Sequence, residues 1–309
     1  MKTLPFEKPI EILYKELKRR ESKGYALMGL DELVEKQIEE VYKHITPYDI
    51  VLVARHPDRP QPQDYIEKLF TNFTELHGDR SGEDDASIIG GTAFFNGNPV
   101  MVIGTRKGHD VKETLRYHSG MVKPSGFRKV ARLTRLASDT LHIPIITLVD
   151  TPGAMVSAET EVNGQVSAIY FAISALLDAN VPVISVITGE GESLAALSLT
   201  ISDRLLMLKY AFFAVLSPEA ASSVLFKNLD KKREIAKELH ITADELLGMN
   251  IIDRIIEEPA GAAHRFPDIV MKNVKEALAE ELEFVSKEKI DVLKRKRREK
   301  IRKAGVYSE

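Results

Sequence analysis

Two apolar runs organise the hydrophobic pattern of this chain, Pro-Ile-Ile-Thr-Leu-Val at residues 144–149 and Val-Pro-Val-Ile-Ser-Val-Ile at residues 181–187. Short apolar runs bounded by turn residues predict strands buried on both faces. The first leads into Asp150-Thr151-Pro152-Gly153-Ala154 and then a helical pattern over residues 164–177. The second leads into Gly189-Glu190-Gly191-Glu192-Ser193-Leu194-Ala195-Ala196-Leu197, which reads as a tight glycine turn opening a helix at Gly191. Upstream, residues 64–73 predict a helix. Residues 87–92, 93–95 and 99–104 predict short strands, with Asn96-Gly97-Asn98 as a hairpin turn. A helix is expected over residues 126–142. The pattern by itself indicates an α/β protein, and its recurrence of strand, strand, helix suggests a stacked spiral rather than a simple doubly wound layer.

The ends of the chain differ from this middle. Ile12, Leu13 and Leu17 recur on one helical face, as do Leu33, Val34, Ile38 and Val41, with Gly24 and Gly29 between them. That is a helical hairpin too small to bury its own stripe, so it is expected to pack on the core or on another chain. Arg59-Pro60-Gln61-Pro62 punctuates its end, and the pattern turns helical again after Glu258-Pro259. Three segments are expected: an N-terminal arm over 1–58, a core over 59–258 and a helical extension over 259–309. The run Lys294-Arg295-Lys296-Arg297-Arg298 in that extension is expected to be a solvated helix end. No aromatic residue interleaves with it to stack on bases, so no nucleic-acid partner is expected.

A strand that feeds a helix through a glycine turn points unpaired backbone N–H groups out of the sheet, where they can hold an anion or a developing oxyanion. Glycines are also common at such turns for steric reasons. Two units of this kind side by side put two loops at one carboxyl edge of a sheet, where ligands bind in open α/β layers. No hydrolytic triad is evident around Ser193, and no His or carboxylate spacing suggests a metal site. His77-Gly78-Asp79-Arg80 reads as a loop fixed by hydrogen bonds, and Asp84-Asp85 as a solvated loop.

Composition narrows the function classes further. With no cysteine among 309 residues, disulfides, thiolate nucleophiles and cysteine-ligated zinc are excluded within this sequence. A formal net charge of −3 gives no global field for nucleic acid or membrane. No apolar stretch is long enough to span a bilayer and none resembles a signal peptide, so the cytoplasm is the expected location.

An ordered set of motifs then runs along nearly the whole chain. It comprises Ala54-Arg55-His56-Pro57, His77-Gly78-Asp79-Arg80, Gly90-Gly91, Lys107-Gly108, Gly120-Met121, Arg128-Lys129, Arg132-Leu133, the two turn sequences above, Gly164-Gln165, Ser217-Pro218-Glu219 and Ala263-His264-Arg265. This resembles the carboxyltransferase alpha subunit of bacterial acetyl-CoA carboxylase. The resemblance implies a crotonase-like (ClpP/crotonase) fold, a stacked ββα superhelix with an N-terminal helical arm and C-terminal helices. It implies transfer of a carboxyl group from carboxybiotin, on biotin carboxyl carrier protein, to acetyl-CoA, giving malonyl-CoA. The implied partners are a beta subunit in an α2β2 complex, which supplies most of the CoA site and a zinc ribbon, and biotin carboxylase in the full assembly. No cofactor is expected to be bound covalently to this chain, and zinc only to beta.

The resemblance assigns the biotin-side oxyanion donors to the backbone N–H groups of Leu194 and Ala195. It places Gly153, Ala154, Gly189, Gly191, Glu192 and Ser193 around carboxybiotin. The chain departs from the family there. Glu192, Leu194 and Ala195 stand where the family has glycine, Met155-Val156-Ser157 replaces Tyr-Pro-Gly, Val162-Asn163 replaces Glu-Arg, and Ser125 replaces Glu. Clustered changes of this kind raise a second reading, a divergent alpha-like paralogue that binds beta but is catalytically impaired or altered. A third is a stand-alone crotonase-fold acyl-CoA enzyme, which the lack of an obvious CoA-binding half disfavours.

Overall fold

The computed structural model describes residues 3–23 and 30–304. In chain order the elements are α1 (Lys8–Glu21), α2 (Leu30–Lys43), α3 (Pro47–Ala54), α4 (Pro62–Leu69), β1 (Thr71–Glu75), β2 (Ile88–Phe95), β3 (Asn98–Thr105), α5 (Val111–Arg116), α6 (Pro124–Arg135), β4 (Ile145–Thr151), α7 (Ala158–Val162) and α8 (Gln165–Asp178). There follow β5 (Val183–Glu192), α9 (Ser193–Thr200), β6 (Arg204–Leu208), β7 (Phe212–Ala214), α10 (Pro218–Phe226), α11 (Lys232–Glu238), α12 (Ala243–Gly248), β8 (Arg254–Ile256), α13 (Ala262–Arg265), α14 (Pro267–Ser286) and α15 (Ile290–Lys303).

The strands form one mixed sheet in the order β1-β2-β3-β4-β5-β6-β8, antiparallel through β3 and parallel beyond it, with β7 paired to the far end of β5. Both faces are covered. A side chain at Gly90 would run into Leu133 of α6, whereas one at Gly104 would press on Pro62 and Ile66 of α4. Helices α6, α8 and α9 pack together on one face, and α4 and α14 on the other. Every residue of β4 and β5 is buried, which is why their sequences carry no alternation.

Four expected elements are corrected. Residues 64–73 do not make one helix: it ends at Leu69, and Thr71–Glu75 is an edge strand on β2. Residues 87–92 and 93–95 join in a single strand, and a two-residue turn, Asn96-Gly97, connects it to β3 with both residues at positive φ. The helix expected over 126–142 stops at Arg135 and continues as a π-helical turn, Leu136–Leu141. Most consequential, β5 runs on through Gly189, Glu190 and Gly191 to Glu192, so the glycine turn is strand and the helix starts at Ser193.

The arm makes its own small cluster, in which Leu4, Ile10, Val34, Ile38 and Tyr42 pack with Val53 and with Ala262 of α13. Leu13, Leu17 and Val41 border it. Ile12 and Leu33 of the expected stripe face outward at 67% and 47% exposure. Gly24 and Gly29 lie outside the described residues. A buried carboxylate anchors this contact: Glu7 accepts from Tyr42 Oη at 2.9 Å, Leu4 N at 2.9 Å and Arg265 Nη2 at 3.0 Å, with His264 Nε2 at 3.6 Å. Burial pushes the Glu7 carboxyl up, but His264, the Leu4 amide and Arg265 outweigh it and hold the group at about 2.

A depressed carboxyl stabilises the fold fully above its unfolded value, ~4.3, and loses that contribution as pH falls toward about 2. Glu7→Gln is therefore expected to cost about 3 kcal/mol at neutral pH. Urea unfolding of both proteins should show the gap closing between about pH 5 and pH 2; a gap independent of pH would refute this anchor.

Candidate functional site

The ends of β4 and β5 carry the site. Their register pairs Thr151 with Gly191, so the Asp150-Thr151-Pro152-Gly153-Ala154 loop and the start of α9 emerge side by side. A methyl group on Gly153 would stand 3.8 Å from the Cβ of Ser193. Gly153 adopts φ 133°, a region that strains any side chain. The Thr151 hydroxyl closes the turn by donating to Gly120 O at 2.7 Å and accepting from Gly153 N at 3.1 Å. A parallel bridge between Val122 and Ala154 ties this loop to the segment before α6.

The expected site residues fall into two groups. Gly153, Ala154, Ser193, Leu194 and Ala195 lie along the rim. Leu194 projects from α9 at 49% exposure, whereas the Ala195 methyl is buried against the core. The first-turn amides of α9 have no intrahelical acceptor and carry the positive end of its dipole. Gly189, Gly191 and Glu192 lie behind the rim as buried strand residues. Gly189 is glycine because any Cβ would stand 2.5 Å from Asp150 Oδ1. At Gly191 a Cβ would meet the Phe213 ring at 3.1 Å.

Beneath the rim lies a charged cluster. Lys107 Nζ bridges Asp150 Oδ1 at 2.9 Å and Glu190 Oε1 at 2.5 Å. Arg55, just past the end of α3, donates to Glu190 Oε2 at 2.6 Å, Glu192 Oε1 at 2.5 Å and Glu219 Oε1 at 3.1 Å. Burial and the neighbouring Glu190 push the Glu192 carboxyl up to about 7, against the pull of Arg55. Glu190 moves the other way: burial would raise it, but Lys107 and Arg55 together hold it low. Asp150 is raised by burial despite Lys107. A cavity of about 160 Å³ opens onto this cluster, bordered by Arg55, His56, Arg59, Lys107, Ser119 and Asp150 among others.

Sequence reasoning placed Arg55, Lys107 and Glu219 in motifs without a role. Arg55 lies 135 residues from Glu190 and 164 from Glu219. No local spacing announces a cluster assembled over such distances.

One departure from the family pattern has a local explanation: Ser157 caps α7 by accepting from Thr160 N at 3.1 Å. Asp85, expected in a solvated loop, is instead buried and accepts from Ser87 N at 2.9 Å and Lys123 N at 2.7 Å. His77 does fix its loop, through Asp84 at 2.8 Å. Among the described residues no group of three or more His, Asp or Glu side chains is arranged to hold a metal ion, and no helix is long and apolar enough to cross a membrane.

A profile of the family described as acetyl co-enzyme A carboxylase carboxyltransferase-like matches residues 3–305. The chain is 46% identical over 269 residues to the acetyl-coenzyme A carboxylase carboxyl transferase subunit alpha of Nitrosomonas eutropha, covering 87% of this chain and 83% of that protein. The subunit of the same name from Paramagnetospirillum magneticum is 41% identical over 313 residues, covering 99% and 98%. Among solved structures, the transcarboxylase 12S core superposes with a TM-score of 0.60 at 20% identity, over 74% of this chain and 42% of that one. A Pseudomonas malonate decarboxylase hetero-tetramer gives 0.55 at 18% identity, over 65% and 81%. The chain thus spans under half of the transcarboxylase polypeptide. At these identities the structural likeness shows the fold alone, and it is the crotonase-like fold.

Proposed function

This chain belongs to the family of alpha subunits of the acetyl-CoA carboxylase carboxyltransferase, a transferase, and from that premise we propose that it moves the carboxyl group of carboxybiotin to acetyl-CoA in an α2β2 complex with a beta subunit. The observation that carries the reading is the rim itself: Gly153 and the amide-bearing start of α9 lie side by side at the carboxyl edge of β4 and β5. In this reading the N–H groups of Leu194 and Ala195 donate to the biotin ureido oxygen as it becomes anionic. Gly153, Ala154 and Ser193 shape the approach, while Gly189, Gly191 and Glu192 set the strand end from behind. Preorganised donors of this kind supply roughly 3–4 kcal/mol each when charge develops on the oxygen. The acetyl-CoA thioester and any zinc belong to the beta chain. Biotin carboxyl carrier protein and biotin carboxylase are the further partners, and the cytoplasm the location. The segments 1–58, 59–258 and 259–309 serve as arm, catalytic core and extension.

Reconstitution with a beta subunit and a biotinylated carrier tests the proposal, with malonyl-CoA formation as the readout. Product is expected only when both chains and the carrier are present; turnover by this chain alone would overturn the reading. A specific observation favours a second one: the half-exposed Leu194 side chain occupies the rim where the family has glycine. A stable α2β2 complex that makes no malonyl-CoA would establish that alternative, a beta-binding subunit with altered or lost turnover.

A further inference from the structure

Four carboxylates, Asp150, Glu190, Glu192 and Glu219, share two cations, Lys107 and Arg55, beneath the start of α9. Two positive charges do not neutralise four negative ones, and Asp150, Glu190 and Glu192 are buried, so ionising the last of these carboxyls is disfavoured. The other groups facing it do not restore the balance. Tyr48 of α3 donates to Glu219 at 2.8 Å, and Arg233 of α11 is turned to Asp49 at 3.1 Å. Lys232 and Arg233 otherwise lie over the Tyr48 ring, at 5.4 and 5.1 Å. Glu219 Oε2 is buried with no hydrogen-bond partner among the described residues.

Glu192 is the member of this cluster that touches the chain reversal. It is the last residue of β5, paired with Ala214 of β7, and the residue preceding α9. The next residue, Ser193, turns the chain at φ 61°. A non-glycine residue in the left-handed region persists only where its surroundings over-determine it. Glu192 does not cap α9 with its side chain; its carboxylate is spent on Arg55 instead.

We propose that Glu192, clamped by Arg55, is a positioning residue: it holds the end of β5 so that Ser193 keeps its left-handed turn and the amides of Leu194 and Ala195 stay aimed at the rim beside Gly153. The inference rests on the reading of that rim as the carboxybiotin site. It gives the glutamate at a family glycine position a role, a side-chain clamp in place of a flexible residue. The raised Glu192 carboxyl makes the clamp sensitive to pH: burial and Glu190 make ionisation harder in the clamped position than in water, so the clamped arrangement loses stability as pH rises from the ordinary carboxylate range to about 7 and levels off above it.

Two readouts on the full chain in the reconstituted complex test this. The first is hydrogen–deuterium exchange of the segment 193–196; the second is kcat and KM; both are followed from pH 5 to 9. Wild type should show more exchange in that segment, and a falling kcat, as pH rises from 5 to about 7, with both levelling off above it, once intrinsic amide exchange rates are corrected for pH. Glu192→Ala should raise exchange there about ten-fold and lower kcat about ten-fold with KM for acetyl-CoA unchanged, since misplacing aligned groups by an ångström can cost ~100-fold. Glu192→Gln, which keeps a hydrogen bond to Arg55 without the charge, should restore most of the ordering and abolish both pH steps. Unchanged exchange over 193–196 in Glu192→Ala, or persisting pH steps in Glu192→Gln, overturns the proposal. A complex that makes no malonyl-CoA but shows the exchange pattern sinks the carboxyltransfer reading and leaves the clamp standing, so the two failures are distinguishable.

Discussion

Arg297→Ala is expected to lower the unfolding free energy by about 3–5 kcal/mol, because it leaves a buried partner charge uncompensated. The side chain is 1% exposed although it sits in the most basic run of the sequence. Its guanidinium donates to Leu176 O at 2.6 Å, Ala179 O at 3.2 Å and Val181 O at 3.1 Å, and grips both oxygens of Asp203 at 3.0 and 2.7 Å. Asp203 in turn accepts from Val183 N at 2.8 Å, at the start of β5. Truncation would therefore leave the buried Asp203 carboxylate without its cation and take a donor from three carbonyls between the end of α8 and the start of β5. Neighbouring cations are engaged as well: Arg298 with Asp178 at 2.5 Å, Lys296 with Glu288 at 2.6 Å, and Lys300 with Asp253. The expected solvated helix end holds for Arg295, Lys296 and Arg298, which are exposed, and is corrected at Arg297, which clamps α15 to the end of α8 and to Asp203, just before β6. Urea unfolding of Arg297→Ala, with Arg297→Lys as a partial rescue, checks the result. A loss under ~1 kcal/mol, the value of an exposed pair, would show that the clamp contributes little.

Restoring glycine at positions 194 and 195 is expected to raise carboxyl transfer in the reconstituted complex by up to ~100-fold, the scale of one recovered oxyanion donor. The structure apportions that gain unequally. Leu194 projects from the rim, so Leu194→Gly clears the approach to the amides. Ala195 faces the core, and its removal sacrifices a buried methyl worth about 0.8 kcal/mol. Each added glycine also costs up to roughly 1 kcal/mol of backbone entropy. Leu194→Gly alone should therefore match or exceed the double variant. Steady-state malonyl-CoA formation by wild type and both variants decides the matter. A fast wild type slowed by glycine at 194 would mean that the loop is adapted to its present side chains, and the impaired-subunit alternative would fall.

The local chemistry of the chain determined a good deal unaided. The runs at 144–149 and 181–187 read as buried strands because they are short, rich in Val and Ile and bounded by turn residues, and an almost wholly apolar run needs cover on both faces. The helical pattern at 164–177 became α8 with one residue's change at each boundary, and Asn96-Gly97 made the hairpin its sequence demands. The ordered motifs carried the family, and with it the fold. Tertiary structure decided the rest. Thr71–Glu75 is a strand because β2 offers an edge to pair with, and five mostly exposed residues with no apolar alternation cannot declare that themselves. Gly189 and Gly191 look like a turn in isolation, yet they are strand glycines: Asp150 fills the space a side chain would need at one, and Phe213 crowds the other. Arg55, Lys107 and Glu219 reach Glu190 and Glu192 across distant segments, and Arg297 is buried because Asp203 and three carbonyls converge on it. Periodicity reports whether a position faces water or core through its own element. It carries no information on which distant charge will arrive to neutralise a buried one, and that pairing, settled by long-range packing, is what builds the site.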